Sequence, residues 1–243
     1  MTGVDVASPR TADGISLRDV EWRIEPREFW VVGGLLSSGK TDLCLTAAGA
    51  LPPARGSLRL FGEEVGGGFT QGQVNQRLRV GLVQDGGLLF RHLNVAENIA
   101  LPLQYHHDAT LEDVLPRLSA WLESTGLHDR ALQPAGSVGR NWAQRAGLAR
   151  ACILEPELLV LDNPLTGLDP RHARWWLDTL GLLWRGHPLV SHRPMTLVVT
   201  CDDFRPWIAP GRRYALLRGR RFEPLSPTLD PGELPRLLLD EAP

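Results

Sequence analysis

Gly34-Leu35-Leu36-Ser37-Ser38-Gly39-Lys40-Thr41 is the stretch from which the rest of the chain is read. It fits G-x-x-x-x-G-K-[ST], a loop whose backbone N–H groups surround phosphate oxygens. The apolar run Phe29-Trp30-Val31-Val32 precedes it, and Asp42 to Ala50 follows with a helical composition. Strand, loop and helix in that order are the context the motif requires. The helix start adds its own N–H groups and the positive end of its dipole. In such a loop Lys40 reaches the β- and γ-phosphates, and the Thr41 hydroxyl holds Mg²⁺. Asp42 is out of keeping. A carboxylate in the first turn stabilises an empty helix end and opposes a phosphate placed there.

The chain has 243 residues and 26.8 kDa, the size of one α/β domain or of one carrying an insertion. A hydrophobic fraction of 43% supplies a buried core. The net charge of −2 and pI near 6.4 give no drive toward nucleic acid. Arg212-Arg213 to Arg220-Arg221 is a short basic run, read as a solvated hairpin or a membrane-facing patch. No stretch has the ~18 apolar residues of a membrane span. MTGVDVASPR lacks the charged-then-apolar order of a secretion signal, so a cytoplasmic location is expected. Cys44, Cys152 and Cys201 have no metal-ligand spacing. Of the eight tryptophans, several sit on helical stretches and are expected to pack and not to bind.

Residues 1–13 read as a frayed leader, and Ile15 to Ile24 as a half-buried antiparallel strand. Ser57 to Phe61 and Arg79 to Val83 read as strands, with a loop at Gly66-Gly67-Gly68. From Leu93 to about Gly126 the apolar period becomes helical, and Gln144 to Leu154 reads as a further helix. Leu158-Leu159-Val160-Leu161 is a wholly apolar run ended by Asp162, as a buried parallel strand would be. Arg174 to Trp184 is an amphipathic helix, and Thr196 to Thr200 a further buried strand. Tyr214 to Leu217 and Arg220 to Phe222 flank a hairpin turn at Arg218-Gly219. A phosphate loop of this kind needs a carboxylate at the end of a neighbouring strand to hold the Mg²⁺ shell, and Asp162 supplies it.

The run from Ala149 through Leu161-Asp162-Asn163-Pro164-Leu165-Thr166-Gly167-Leu168-Asp169-Pro170 resembles the heart of an ABC-type ATP-binding subunit. The similarity extends from about Ile15 to Leu225. It implies an α/β fold, a P-loop NTPase (RecA-like) core with a mixed sheet, an N-terminal antiparallel β-subdomain and an inserted α-helical subdomain. The whole chain, 1–243, is then one ATP-binding domain, its core 14–90 and 155–225 and its helical subdomain about 91–154. ATP and Mg²⁺ are the implied cofactors, held by Gly34, Ser37, Ser38, Gly39, Lys40, Thr41, Asp42, Gln84 and Asp162. Thr41, Gln84 and Asp162 form the Mg²⁺ shell. Gln84 matches the Q-loop, and Thr166 to Asp169 match the D-loop that crosses to a dimer partner. Leu82 to Phe90, with Leu93 to Leu103, resembles the Mla-type lipid-asymmetry transporters and their MCE-associated relatives. That implies a transmembrane permease, a second ATP-binding chain, an MCE-type lipid-binding protein, and a place on the cytoplasmic face of the inner membrane.

The chain departs from this pattern where the chemistry lies. Asn163 stands where the catalytic glutamate is expected; asparagine orients a water but cannot take its proton. Cys201 replaces the switch histidine, and a thiol is a weak donor. The L-S-G-G-Q signature aligns with Val138-Gly139-Arg140-Asn141-Trp142, so its serine becomes Gly139 and bulk arrives with Arg140 and Trp142. No aromatic lies near residues 10–14, where the family stacks adenine. Ser37 and Asp42 weaken the phosphate loop itself. The expected function is an ATP-binding subunit with weak or absent hydrolysis, in lipid-related envelope transport. The alternative is a non-catalytic scaffold capping a permease or an active paralogue.

Overall fold

The computed structural model describes residues 1–66 and 71–239. Its first strand corrects the sequence reading, because the expected leader is built into a sheet. β1 (Thr2–Ala7) pairs antiparallel with β2 (Ile15–Val20), with Val4 opposite Val20 and Val6 opposite Leu17. Val4 and Val6 are fully buried. Val4-Asp5-Val6 alternates as a half-buried strand does, but three residues make a faint pattern. Asp5 fixes the return by accepting the Asp19 N–H at 2.9 Å. β3 (Phe29–Gly34) is buried along its whole length and feeds the phosphate loop into α1 (Lys40–Ala47). β4 (Arg55–Ser57) then pairs with the free edge of β1, and β5 (Arg59–Leu60) with β6 (Glu63–Glu64) forms a small ribbon. The glycine loop expected at Gly66 runs into Gly67 and Gly68, which lie outside the described residues. α2 (Gln71–Leu78), not anticipated in the sequence, leads into β7 (Val80–Val83).

The helical stretch expected from Leu93 to about Gly126 resolves into two helices. α3 (Val95–His107) and α4 (Leu111–Ser124) are separate helices, parted at Asp108 in the left-handed region. Each opens on a capping box. Asn94 and Glu97 exchange side-chain bonds to each other's backbone N–H, and so do Thr110 and Asp113. α5 (Arg140–Cys152) starts at Arg140 and not at Gln144, so the whole signature-like stretch sits at its beginning.

β8 (Leu158–Leu161) follows, then α6 (Pro170–Arg185), β9 (Thr196–Cys201), β10 (Arg212–Arg218), β11 (Arg221–Pro224) and α7 (Leu234–Leu239). The main sheet has the order β11-β10-β3-β9-β8-β7, parallel except for β11. One apolar layer packs Trp121, Ile99, Leu148, Trp176 and Leu180 against one sheet face. On the other face Leu43 and Cys44 of α1 pack with Val4, Val6 and Leu17 of the N-terminal sheet. Five of the eight tryptophans are buried, Trp22, Trp30, Trp121, Trp176 and Trp207. Parallel strands direct their carboxyl ends to one edge. There the loops after β3, β8 and β9 meet.

Candidate functional site

The phosphate loop is shaped by what its glycines leave out. A Cβ on Gly34 would lie 2.3 Å from Ser38 Oγ. Gly39 takes φ +94° as the cap of α1 and makes no side-chain cap bond, so the first N–H groups of the helix have no side-chain acceptor there. Ser37 has φ 64°, a conformation that costs a β-carbon-bearing residue strain. Ser38 Oγ is buried without a hydrogen-bond partner. Lys40, 9% exposed, donates from Nζ to Gly34 O at 2.5 Å and Leu35 O at 2.7 Å. Burial lowers its pKa, while Asp202 and Asp162 act in the opposite sense.

Asp162, 4% exposed, ends β8 beside this loop. Its Oδ2 accepts the Thr41 hydroxyl at 2.7 Å, and its Oδ1 accepts the Thr200 hydroxyl at 2.9 Å. Thr200 in turn accepts the Asn163 N–H at 3.0 Å. Thr41 and Asp162 are hard oxygen donors of the kind Mg²⁺ uses, and Mg²⁺ completes its shell with waters and phosphates. Asn163 takes φ 48°, tolerable for asparagine, and its amide reaches Asp202 Oδ2 at 3.5 Å. Thr200 is a functional residue the sequence reading missed; its role shows only when β8 and β9 lie side by side. Thr200→Val, which keeps the shape, leaves Asp162 Oδ1 and the Asn163 N–H unpaired. We expect a loss of about 1–3 kcal/mol, read as a lower urea midpoint with an unchanged slope.

Five separate parts of the chain line a cavity of about 610 Å³ over this site. Ser37, Ser38, Gly39, Lys40, Thr41, Asp42, Asp162 and Asn163 line it, with Asp85, Asp202 and Arg10. Four carboxylates thus face two cations. Asp42 is 3% exposed, and its Oδ1 is 2.6 Å from the Arg10 guanidinium. The carboxylate expected to oppose a phosphate is therefore neutralised from the β1–β2 loop. That pairing links residues 32 positions apart and left no mark in the sequence. Two expected residues lie elsewhere. Gln84 is half-buried after β7 and does not line the cavity, whereas its neighbour Asp85 does. Cys201 is 2% exposed and turned into the apolar layer, and burial pushes its thiol pKa up.

The signature-like residues form a second cluster. Val138 is half-buried behind a short turn, and Gly139 caps α5 with no side-chain acceptor. Arg140 is ion-paired to Asp85 and passes close to Gly86 and Gly167. Asn141 is half-buried beside it. Trp142 meets His172 edge to face at 5.4 Å and is covered by Arg130 at 4.2 Å. His172 Nδ1 lies 2.7 Å from Asp169, which caps α6 by accepting the His172 N–H at 2.9 Å. Gly87 sits against Ala143 and Gly147 with no room for a Cβ, and Arg150 donates to Gly87 O at 2.9 Å and Leu88 O at 3.1 Å. The start of α5 is thereby joined to the loop after β7 and to the start of α6.

Residues 17–166 match the family model described as ABC transporter. The intermembrane phospholipid transport system ATP-binding protein MlaF of Escherichia coli K12 is 31% identical over 163 residues, 67% of this chain and 57% of that protein. The sulfate/thiosulfate import ATP-binding protein CysA of Mesorhizobium japonicum is 33% identical over 211 residues, 84% of this chain and 57% of that protein. The chain spans little more than half the length of these relatives. Among solved structures, the dimeric post-hydrolysis ATP-binding cassette MJ0796 bound to ADP and Pi superposes with a TM-score of 0.79 at 21% identity, covering 93% of this chain and 97% of that one. Among the described residues, no helix is long and apolar enough to cross a membrane.

Proposed function

The chain belongs to the ABC transporter family, and from that premise we propose that it is the ATP-binding subunit of a lipid-related envelope transporter that hydrolyses ATP weakly or not at all. One observation carries the reading. Thr41 and Asp162 are joined at 2.7 Å beside the phosphate loop, while the next residue is Asn163. The first two are what metal-assisted phosphate binding needs; the third has no group to take a proton from water. The backbone N–H groups at the start of α1 orient the phosphates, and Lys40 leaves the Gly34 and Leu35 carbonyls to meet them. Thr41 and Asp162 would hold Mg²⁺, whose charge would offset that of the phosphates. Asn163 orients a water without activating it.

The likeness to MlaF supports lipids as the substrate class, a permease and a second ATP-binding chain as partners, and an MCE-type protein further along the path. A place on the cytoplasmic face of the inner membrane goes with that assembly. The segment of 91–154 acts in this scheme as the helical subdomain that meets the permease. Calorimetric titration of MgATP tests the binding step. Lys40→Ala is expected to weaken binding at least tenfold, about 1.4 kcal/mol. Binding unaffected by Lys40→Ala refutes the site. Absence of MgATP binding to the wild-type chain at millimolar concentration favours the scaffold reading, in which the fold caps a permease without nucleotide.

A further inference from the structure

We propose that Arg10 is a phosphate-binding residue, held ready by Asp42 at the edge of the phosphate loop; this rests on the nucleotide reading above. Three observations converge on it. Arg10 lines the cavity with Lys40, and these are its two cations against Asp42, Asp85, Asp162 and Asp202. Even when the Lys40 ammonium leaves its two carbonyls for phosphate, it is one charge against four carboxylates. The Arg10 side chain is 62% exposed, yet its Nη2 is fixed 2.6 Å from Asp42 Oδ1 in the first turn of α1. A guanidinium carries five N–H donors in a planar fork. One can stay on Asp42 while others turn to a phosphate oxygen, in the two-pronged geometry that arginine makes with phosphate. Asp42 thus aims the cation and at the same time needs it. The anchor on the anion-directed end of α1 argues for contact with the phosphate chain and not with the base.

Calorimetry on the full chain tests this with two ligands, MgATP and magnesium tripolyphosphate, and four proteins: wild type, Arg10→Ala, Asp42→Thr and the double variant. Circular dichroism confirms folding of each. Arg10→Ala is expected to weaken both ligands about tenfold or more. Asp42→Thr is expected to tighten both, because the repulsion between its carboxylate and phosphate outweighs what its hold on the guanidinium contributes. Arg10→Ala is expected still to weaken binding severalfold in the Asp42→Thr background, which separates a ligand from a mere counter-ion. Equal affinity of Asp42→Thr and the double variant overturns the proposal. So does an effect of Arg10→Ala on MgATP that vanishes with tripolyphosphate, since that marks stacking on the base. Firm wild-type binding indifferent to Arg10 refutes Arg10 alone. No heat from either ligand in any of the four proteins refutes the nucleotide reading, and the role of Arg10 with it.

Discussion

Asn163→Glu alone is expected to raise ATP turnover less than about tenfold, although restoring one preorganised catalytic group is often worth 10²–10³. The structure gives three reasons for the shortfall. The Asn163 amide faces Asp202 Oδ2 at 3.5 Å, so a glutamate there meets a carboxylate in a cavity that already holds four. Like charges that close repel, which turns the glutamate away from the place where it would meet a water. Cys201 is buried in the apolar layer and offers nothing to a γ-phosphate. Gly139 brings no hydroxyl to the start of α5, and Arg140 occupies that end by pairing with Asp85. Groups that work as one unit give non-additive losses, and repairing one of them recovers little. The combination Asn163→Glu, Cys201→His and Gly139→Ser is expected to recover about 10²–10³, measured as phosphate release with the membrane partner present. Recovery of ordinary transporter rates by Asn163→Glu alone would show that the other departures are harmless.

The parts of this site that were legible in the sequence are those written in consecutive residues. Gly34 to Thr41 fixes a strand-to-helix turn by local conformation, and Leu158 to Asp162 fixes a buried strand and its terminal carboxylate by composition. From those two stretches follow the parallel core and the edge on which the loops gather. What was not legible depends on which side chains meet across the fold. Thr200 is an ordinary strand residue until β9 lies beside β8, when it bonds both Asp162 and Asn163. Arg10 falls in a stretch whose composition reads as a leader. Val4-Asp5-Val6 is too short for its alternation to outweigh the polar residues around it, and the strand forms because β2 and β4 flank it. In the sequence Asp42 is a bare charge on the phosphate end of α1, whereas in the fold it has Arg10 as its partner. Arg140 and Trp142 read as bulk in a place meant for small groups. In the fold they tie α5 to Asp85 and to His172, which no local pattern of residues encodes.

Chelating divalent cation with EDTA is expected to weaken ATP binding at least about 10²-fold, the second large effect. Four carboxylates line the cavity, and Arg10 is spent in part on Asp42 and Lys40 in part on carbonyl oxygens. Two unit charges 4 Å apart interact by about 4 kcal/mol at an effective dielectric constant of 20. A single unscreened phosphate–carboxylate contact therefore outweighs a hundredfold in affinity, which corresponds to about 2.7 kcal/mol. The Asp162 carboxylate is the one whose charge a metal ion would offset, since its Oδ2 already faces Thr41. Asp162→Asn separates this electrostatic account from a general loosening of the site. With Mg²⁺ present the variant should bind ATP more weakly than wild type, because a metal donor is lost. With EDTA it should bind more tightly than wild type, because a repelling charge is lost. The order of the two proteins should thus cross on chelation. A variant weaker in both conditions would mean that Asp162 holds the phosphate loop in shape through Thr41 and contributes little through its charge.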